Sequence, residues 1–189
     1  MALTLDKLKQ LATAEGLKFM AAPERQALLL MFSGMNGGSY QVVMPVELDG
    51  RFLQFRTVAY MHCTLDNPNL GAVLRVIGDL DYRLRLTKFG WDPSDGEIVG
   101  YADLWLEDAT LTQKQFSAML HVYLPAIDLA HARLTTTMET GRDPEAGGGS
   151  GGNSGGNSGD SLRRLQSLLG GSGGPGGGSG GSDRGPTSI

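Results

Sequence analysis

Histidine and cysteine are the side chains best suited to nucleophilic or metal chemistry, and this sequence has three of the first and one of the second. His62 adjoins Cys63, but two neighbouring ligands do not make a zinc site, which takes three or four from the protein. His121 and His131 lie ten positions apart, too far to share a ligand face on one helix. We therefore predict structural or surface roles for these residues, with no catalytic residue, no metal and no cofactor.

Carboxylates could act as acid–base pairs or as calcium ligands. Asp79 with Asp81 and Glu107 with Asp108 form two such pairs, but nothing in the sequence isolates them from solvent, so we interpret them as solvated charges. The carboxylate spacing over residues 92–97 differs from that of an EF-hand calcium loop. The Asp, Pro, Ser and Gly residues there predict a turn instead.

The charge balance argues against nucleic acid and anionic membranes as partners. The formal net charge is −4, and an acidic domain has no electrostatic reason to bind phosphate groups. Dispersed basic residues, among them Arg75, Arg83, Arg85 and Lys88, lie along the second predicted helix and the strand after it. A local basic patch with a nucleic-acid-associated role is therefore an alternative, although two aspartates lie among these residues.

Cysteine content and the first residues of the chain bear on the cellular compartment in which the protein is expected. A single cysteine, Cys63, allows no intramolecular disulfide, and the first residues lack a charged segment followed by an apolar core. No apolar run approaches the roughly 18 residues needed to span a bilayer. These features predict a cytoplasmic protein that does not insert into a membrane.

Composition divides the chain sharply after Ala146. Residues 147–189 are almost wholly Gly, Ser, Asn and Pro, and a stretch with so few apolar side chains cannot build a core. We predict a disordered tail there. Residues 1–146 suffice for one ordinary domain.

The first elements of that domain are a helix and a strand. Leucines at helical spacing follow Thr4, a suitable N-cap, and Gly16 can supply a left-handed residue at the other end. This pattern predicts a helix over residues 4–15. The apolar run over residues 26–33 has no polar face, so it predicts a strand covered on both sides.

A hairpin follows. Apolar and polar residues alternate over residues 40–48, which is typical of a half-buried strand. Asp49-Gly50 then favours a two-residue type I′ turn, whose twist suits paired antiparallel strands. The second strand of the hairpin is predicted over residues 51–59.

A second helix and a second hairpin come next. Asp66 or Asn67 can cap the helix, with Pro68 in its first turn. Strands are predicted over residues 84–89 and 97–106, joined through turn formers. The buried stripe of the helix is predicted to consist of Leu70, Val73, Leu74 and Ile77.

The last element is a long helix that begins at Thr112. Thr112 and Gln115 fit a capping box, and apolar residues at helical spacing continue for about six turns. Strands grouped in hairpins, and not alternating singly with helices, are typical of an antiparallel sheet. The fold class is therefore predicted as α+β, an antiparallel sheet with flanking helices.

Three stretches carry a family resemblance. They are Leu74-Arg-Val-Ile-Gly-Asp-Leu-Asp-Tyr-Arg-Leu, Lys88-Phe-Gly-Trp-Asp-Pro-Ser-Asp-Gly-Glu-Ile and Leu106-Glu-Asp-Ala-Thr-Leu-Thr-Gln-Lys-Gln-Phe. Together they resemble the YbjN family of type III secretion chaperone-like domains. The resemblance implies a curved antiparallel sheet with flanking helices, frequent homodimers and no known catalytic centre.

These observations predict a non-enzymatic protein-interaction module, adaptor or chaperone-like, that binds a partner segment on an apolar groove or sheet edge. We also expect a homodimer. The alternative is a small-ligand sensor or an enzyme with a pocket between sheet and helices. Apolar residues that could form the interaction surface are Leu70, Leu74, Tyr101 and Trp105.

The tail contains one amphipathic segment, residues 161–169, which we predict to be a docking peptide. Ser161 can cap a helix, and four leucines then share one face, opposite Arg163 and Arg164. Nine residues are too few to hold a helix alone in water, so the segment would order only against a surface. The alternative is a tail with a few leucines and no partner. The leucines are Leu162, Leu165, Leu168 and Leu169.

Overall fold

The computed structural model of the protein describes residues 2–36, 38–107 and 110–146. The described helices are α1 (Leu5–Ala14), α2 (Leu70–Arg83) and α3 (Gln113–Thr140). The described strands are β1 (Phe19–Ala22), β2 (Ala27–Ser33), β3 (Ser39–Glu47), β4 (Phe52–Val58), β5 (Met61–His62), β6 (Lys88–Trp91) and β7 (Glu97–Trp105). The predicted tail, residues 147–189, lies outside the described residues, so the division into domain and tail stays a prediction.

The strands form one antiparallel sheet, which confirms the predicted α+β class. β1 pairs with β2, β2 with β3, β3 with β4, and β4 with β7. β5 and β6 also pair with β7, and Ile98 of β7 has a partner in each of them, so they flank β7 on opposite sides. Arg56 of β4 and Lys88 of β6 likewise share Tyr101 as partner, which places β4 on the same side of β7 as β5.

The three helices cover one face of this sheet, the inner face. α1 packs against β2 and α3, and α2 packs against α3 and β6. Alternate residues of β3 point into this layer and are buried, as the alternation predicted: Tyr40, Val42, Met44 and Val46. Leucines of α1, aromatic residues of α3 and these strand residues share one continuous core.

α3 packs closely on the sheet at Gly100 of β7. A Cβ atom at this position would overlap Cδ1 of Ile127 and lie 3.0 Å from a ring carbon of Phe89. The hydroxyl of Tyr123 donates a hydrogen bond of 2.8 Å to the carbonyl of Gly100. The absence of a side chain at Gly100 therefore allows Ile127 of α3 to lie this close to the sheet.

Both predicted N-caps of α1 and α3 are confirmed. The hydroxyl of Thr4 accepts a hydrogen bond from the amide of Lys7. Thr112 and Gln115 form a complete capping box at the start of α3. These caps depend on side chains three residues apart, so local sequence suffices to predict them.

Several element predictions need correction. α2 begins at Leu70, and the preceding Pro68 lies outside it; the Asn67 side chain instead accepts a hydrogen bond from the amide of Asn69. The strand predicted from residue 84 begins at Lys88, and the short edge strand β1 was not predicted. The buried residues of α2 are Val73, Val76, Ile77 and Leu80.

The hairpin between β3 and β4 has a longer loop than predicted. Glu47 pairs with Phe52, so residues 48–51 form the connection. Leu48 and Asp49 have φ of 50° and 56°, and Gly50 has φ of 83°. The left-handed conformation expected at Asp-Gly is present, but it begins one residue earlier.

Candidate interaction surface

The opposite face of the sheet, called the outer face, is open. No helix of the described part of the chain packs on it. Large apolar side chains are exposed there: Met20 at 67%, Met31 at 70% and Trp105 at 60%. The exposure of Met31 corrects the prediction that β2 is covered on both sides, because only its inner side chains, such as Leu28 and Leu30, are covered by helices.

One corner of the outer face forms what we call the tryptophan patch, Phe52 and Trp105. Their rings lie 5.0 Å apart between centroids, because the two residues are paired across β4 and β7. On the other side Phe52 is paired with Glu47. Tyr101, four residues before Trp105 on the same side of β7, is half-buried.

Carboxylates surround the tryptophan patch. Glu47, Asp103 and Glu107 are exposed beside it, together with Asp49 in the connection between β3 and β4. Asp103 accepts a hydrogen bond of 2.8 Å from the Gln54 side chain. The one guanidinium in this group, on Arg51, lies 4.0 Å from Glu107. The patch is thus an aromatic surface with an acidic rim.

The opposite end of the outer face carries what we call the methionine patch, Met20 and Met31. Met20 of β1 is paired with Leu29, and Leu29 with Val43, so an apolar row crosses three strands. Val43 is paired in turn with Arg56, which places a cation beside this row. β1 is an edge strand of the described sheet.

The structure brings together only part of the predicted interaction surface. Tyr101 and Trp105 lie on the outer face of the sheet. Leu70 and Leu74 lie on α2, in the helix layer; Leu70 is partly buried against the core and Leu74 is 38% exposed. These four residues therefore do not form one continuous surface. The predicted docking peptide, with Leu162, Leu165, Leu168 and Leu169, lies outside the described residues.

His62 and Cys63 lie at the end of β5, and His121 and His131 lie on α3. His62 and His121 are exposed, whereas Cys63 is buried, which raises the pKa of its thiol. The ring of His131 packs 5.3 Å from that of Tyr40 and 5.6 Å from that of Tyr60. Burial lowers the pKa of His131. Within the described ranges, no three His, Cys, Asp or Glu side chains form a group that could hold a metal.

Sequence reasoning missed a buried carboxylate beside this histidine. Asp128 of α3 is 5% exposed and accepts hydrogen bonds from the amides of Met35 and Asn36, at 3.0 and 3.2 Å. The hydroxyl of Tyr40 donates a third, at 2.8 Å, and burial together with this bond raises the pKa of Tyr40. Asp128 therefore fixes the loop after β2, and its oxygens are already engaged.

A second buried group was also missed, the ion cluster of Arg133, Asp79, Asp143 and Glu145. Arg133 is 4% exposed; its Nη2 atom lies 2.8 Å from Asp79 and 2.6 Å from Asp143, and its Nη1 atom lies 3.4 Å from Glu145. Burial opposes ionisation of Asp79, but the hydrogen bonds from Arg133 and Arg83 prevail and lower its pKa.

Two interpretations of acidic residues are therefore corrected. Asp79 is not a solvated charge, because it joins α2 to α3 through Arg133. Asp81 accepts a hydrogen bond of 2.8 Å from the amide of Phe89 and so fixes the start of β6. Glu107 is exposed as predicted, and Asp108 lies outside the described residues. Residues 92–97 form the predicted turn, with Asp92 and Asp95 accepting from backbone amides.

A pocket of about 240 Å³ opens at the end of the hairpin between β2 and β3. It is lined by strand residues, among them Met31, Tyr40 and Gln41, and so does not lie between the sheet and the helices. None of the described helices has the length and hydrophobicity needed to cross a bilayer.

Two solved structures are similar to this one. YbjN from E. coli is 17% identical, with a TM-score of 0.52, and the match covers 72% of this chain and 94% of that one. A chain of the ExsC-ExsE complex is 21% identical, with a TM-score of 0.46, and the match covers 71% of this chain and 97% of that one. At this identity, the likeness to YbjN concerns the fold. No curated protein matches the sequence.

The model of one protein family matches residues 4–134, which is most of the chain. That family is YbjN, described as "Putative bacterial sensory transduction regulator". The match begins at the cap of α1 and ends within α3, so it takes in every strand described above. The resemblance inferred from the sequence is thus confirmed, and the chain belongs to the YbjN family.

Proposed function

We propose that this chain is a non-enzymatic protein-interaction module, adaptor or chaperone-like, that holds a partner segment on the outer face of its sheet. The observation that carries the proposal is this open face with its exposed apolar side chains, above all Trp105 at 60% exposure. Exposed apolar surface rimmed by polar groups is typical of interaction sites. Membership of a family described as a regulator supports a function exerted through binding.

The tryptophan patch is the proposed anchor. Large aromatic residues dominate the binding energy of protein interfaces when a partner covers them. Phe52 and Trp105 present two adjoining rings, and Glu47 and Asp103 provide an acidic rim. Because a rim of one charge favours partners of the other, the expected partner segment combines apolar residues with lysine or arginine.

The methionine patch is the proposed site of self-association. Met31 and Met20 are exposed beside the edge strand β1, and an exposed strand edge can pair with a second copy. A two-fold axis would bring two such patches together. We therefore propose a homodimer formed through this end of the sheet, which leaves the tryptophan patch free.

The function is tested by affinity capture with the full chain. A Trp105→Ser variant should lose its specific partner, because removal of an aromatic anchor commonly weakens binding by at least about tenfold. A Tyr82→Ser variant is the matched control, since Tyr82 is an aromatic residue 90% exposed on α2. Quantitative mass spectrometry of the captured proteins, followed by titration of the purified partner, provides the measurement.

Equal partner binding by the wild-type chain and the Trp105→Ser variant would contradict the proposed surface. Loss of binding by both variants would place the site elsewhere on the molecule. Circular dichroism of each variant establishes that it is folded before binding is compared.

A further inference from the structure

The nine residues 161–169 match the chemistry of the tryptophan patch. Four of them are leucines, two are arginines, and none is acidic. The patch offers exposed aromatic rings with Glu47, Asp103 and Glu107 around them. Apolar side chains can therefore meet the rings while the guanidinium groups of Arg163 and Arg164 meet carboxylates.

Charge distinguishes this patch from the other apolar surface on the same face. The methionine patch borders Arg56, whose guanidinium lies 3.7 Å from Glu97 and belongs to the middle of the sheet. A segment with two arginines would place like charges side by side there. Electrostatic complementarity therefore selects the tryptophan patch.

The chain between the domain and this segment sets how far the segment can reach. Asp143 is held by Arg133 at the end of the described chain, and residues 147–160 then provide 14 linking residues. A Gly/Ser-rich chain of that length has a typical reach of about 20 Å and a maximum of about 46 Å. A domain of this size is about 40 Å across, so only a largely extended linker reaches the outer face from the end of the described chain.

We propose that residues 161–169 bind the tryptophan patch of their own chain and occlude it until a partner displaces them. This inference rests on the proposed function, because it assigns a regulator to the same surface. The linker makes this binding intramolecular, and because the linker has to be largely extended, its effective concentration is about 0.1 mM, below the roughly 1 mM of a linker that matches its span. A dissociation constant of about 0.01 mM would leave the patch about ten times more often covered than open.

The test compares full-length variants by the rate at which the indole N–H of Trp105 exchanges its hydrogen with solvent. The chain has two tryptophans, and the indole of Trp91 donates a hydrogen bond of 2.8 Å to the carbonyl of Cys63. Trp91 is thus an internal reference. Leu165→Asp combined with Leu169→Asp should accelerate hydrogen exchange of the Trp105 indole about tenfold, as measured by NMR, and leave Trp91 unchanged.

The matched control combines Ser167→Asp with Asn157→Asp, which adds the same two charges without altering a leucine. It should leave the exchange rate of the Trp105 indole within about twofold of the wild-type rate. Unchanged exchange in the leucine variant overturns the proposal. Protection that grows with protein concentration and persists in the leucine variant identifies a second copy as the occupant and also overturns it.

Partner capture separates this inference from the proposed function. Removal of an intramolecular competitor should raise partner capture by the leucine variant, up to about tenfold. If partner capture depends on Trp105 but exchange of the Trp105 indole is the same in the leucine variant, the occluding segment is rejected and the proposed function is retained. If exchange of the Trp105 indole responds to the leucine variant but no partner capture depends on Trp105, the occluding segment is supported and the proposed function is rejected.

Discussion

At the scale of single residues, Arg133 connects three parts of the described chain. Its guanidinium joins α3 to Asp79 of α2 and to Asp143 and Glu145 beyond the end of α3. A buried cation of this kind is tolerated because its Nε and Nη2 atoms donate hydrogen bonds to Asp143 and two further carboxylates lie within 3.4 Å of the guanidinium. Removing the cation leaves three carboxylates that were arranged around it.

We predict that Arg133→Gln lowers the free energy of unfolding by about 3–5 kcal/mol, because Asp143 and Glu145 would lose the cation with which they are paired, whereas Asp79 keeps Arg83. Arg142→Gln is the control, since Arg142 is exposed nearby, and its cost should stay within about 0.5 kcal/mol. Urea denaturation measures both. An equal cost for the two variants would show that the cluster contributes nothing specific.

The same cluster predicts a pH dependence. Hydrogen bonds from Arg133 lower the pKa of Asp143, so its contribution to stability is present above the ordinary carboxyl pKa and is lost as the pH falls through the folded-state value. The pKa of Glu145, raised by burial, acts in the opposite direction. Arg133→Gln should therefore lose less stability than the wild type between about pH 5 and pH 3.

Sequence separation explains which residue roles could be predicted. Thr112 and Gln115 are three positions apart, so their capping box is visible in the sequence. Asp79 and Arg133 are 54 positions apart, and nothing local shows that they meet. The same holds for Asp128 and Tyr40, which are 88 positions apart.

At the scale of elements, Gly100 and Gly78 differ in the space available for a side chain. Gly100 in β7 contacts Ile127 of α3 so closely that a Cβ atom would overlap it. Gly78 in α2 has open space where a Cβ atom would lie. One glycine is thus required by packing, and the other is not.

We predict that Gly100→Ala destabilises the protein by about 1–3 kcal/mol through overpacking. Gly78→Ala should instead stabilise it by up to about 1 kcal/mol, because alanine is the better helix former. Thermal and urea unfolding of both variants provide the measurement. Combining Gly100→Ala with Ile127→Val, which removes the overlapping Cδ1 atom, should recover part of the loss; no recovery would show that this contact is not the cause.

The elements themselves were largely predictable, and the exceptions have physical reasons. Alternation identified β3, and turn residues identified both hairpins, because these signals are local. β1 has only four residues, too few for a clear pattern. β2 is apolar on both sides, which predicted that both of its faces are covered by other elements. In the structure the described helices pack only on the inner face, and Met31 is exposed to solvent.

At the scale of the whole molecule, we predict a dimer in solution. A stable interface buries around 800 Å² per partner, which the methionine patch and the edge of β1 together would have to supply. Met31→Glu should shift the molar mass from dimer to monomer, as measured by light scattering at several concentrations. Met35→Glu is the control, because Met35 is 95% exposed in the loop after β2 and outside the patch.

A concentration-independent monomer mass of the wild-type chain would contradict the dimer. If the Met31→Glu variant is still a dimer, the chain self-associates through a surface other than the methionine patch. The predicted four-residue surface of Leu70, Leu74, Tyr101 and Trp105 offers the next positions to substitute, since Leu74 lies on α2 and Trp105 on the outer face.

Because all described helices lie on one side of the sheet, the two faces of the sheet tolerate amino-acid substitution to different degrees. Substitutions among the outer side chains, such as those of Met20, Met31 and Trp105, remove few packing contacts, so they should be nearly neutral for folding. The inner side chains, such as Leu28, Leu53 and Tyr123, are fully buried and hold the fold. Descendants of one ancestral chain could therefore acquire new binding specificities on the outer face while the scaffold beneath stays the same.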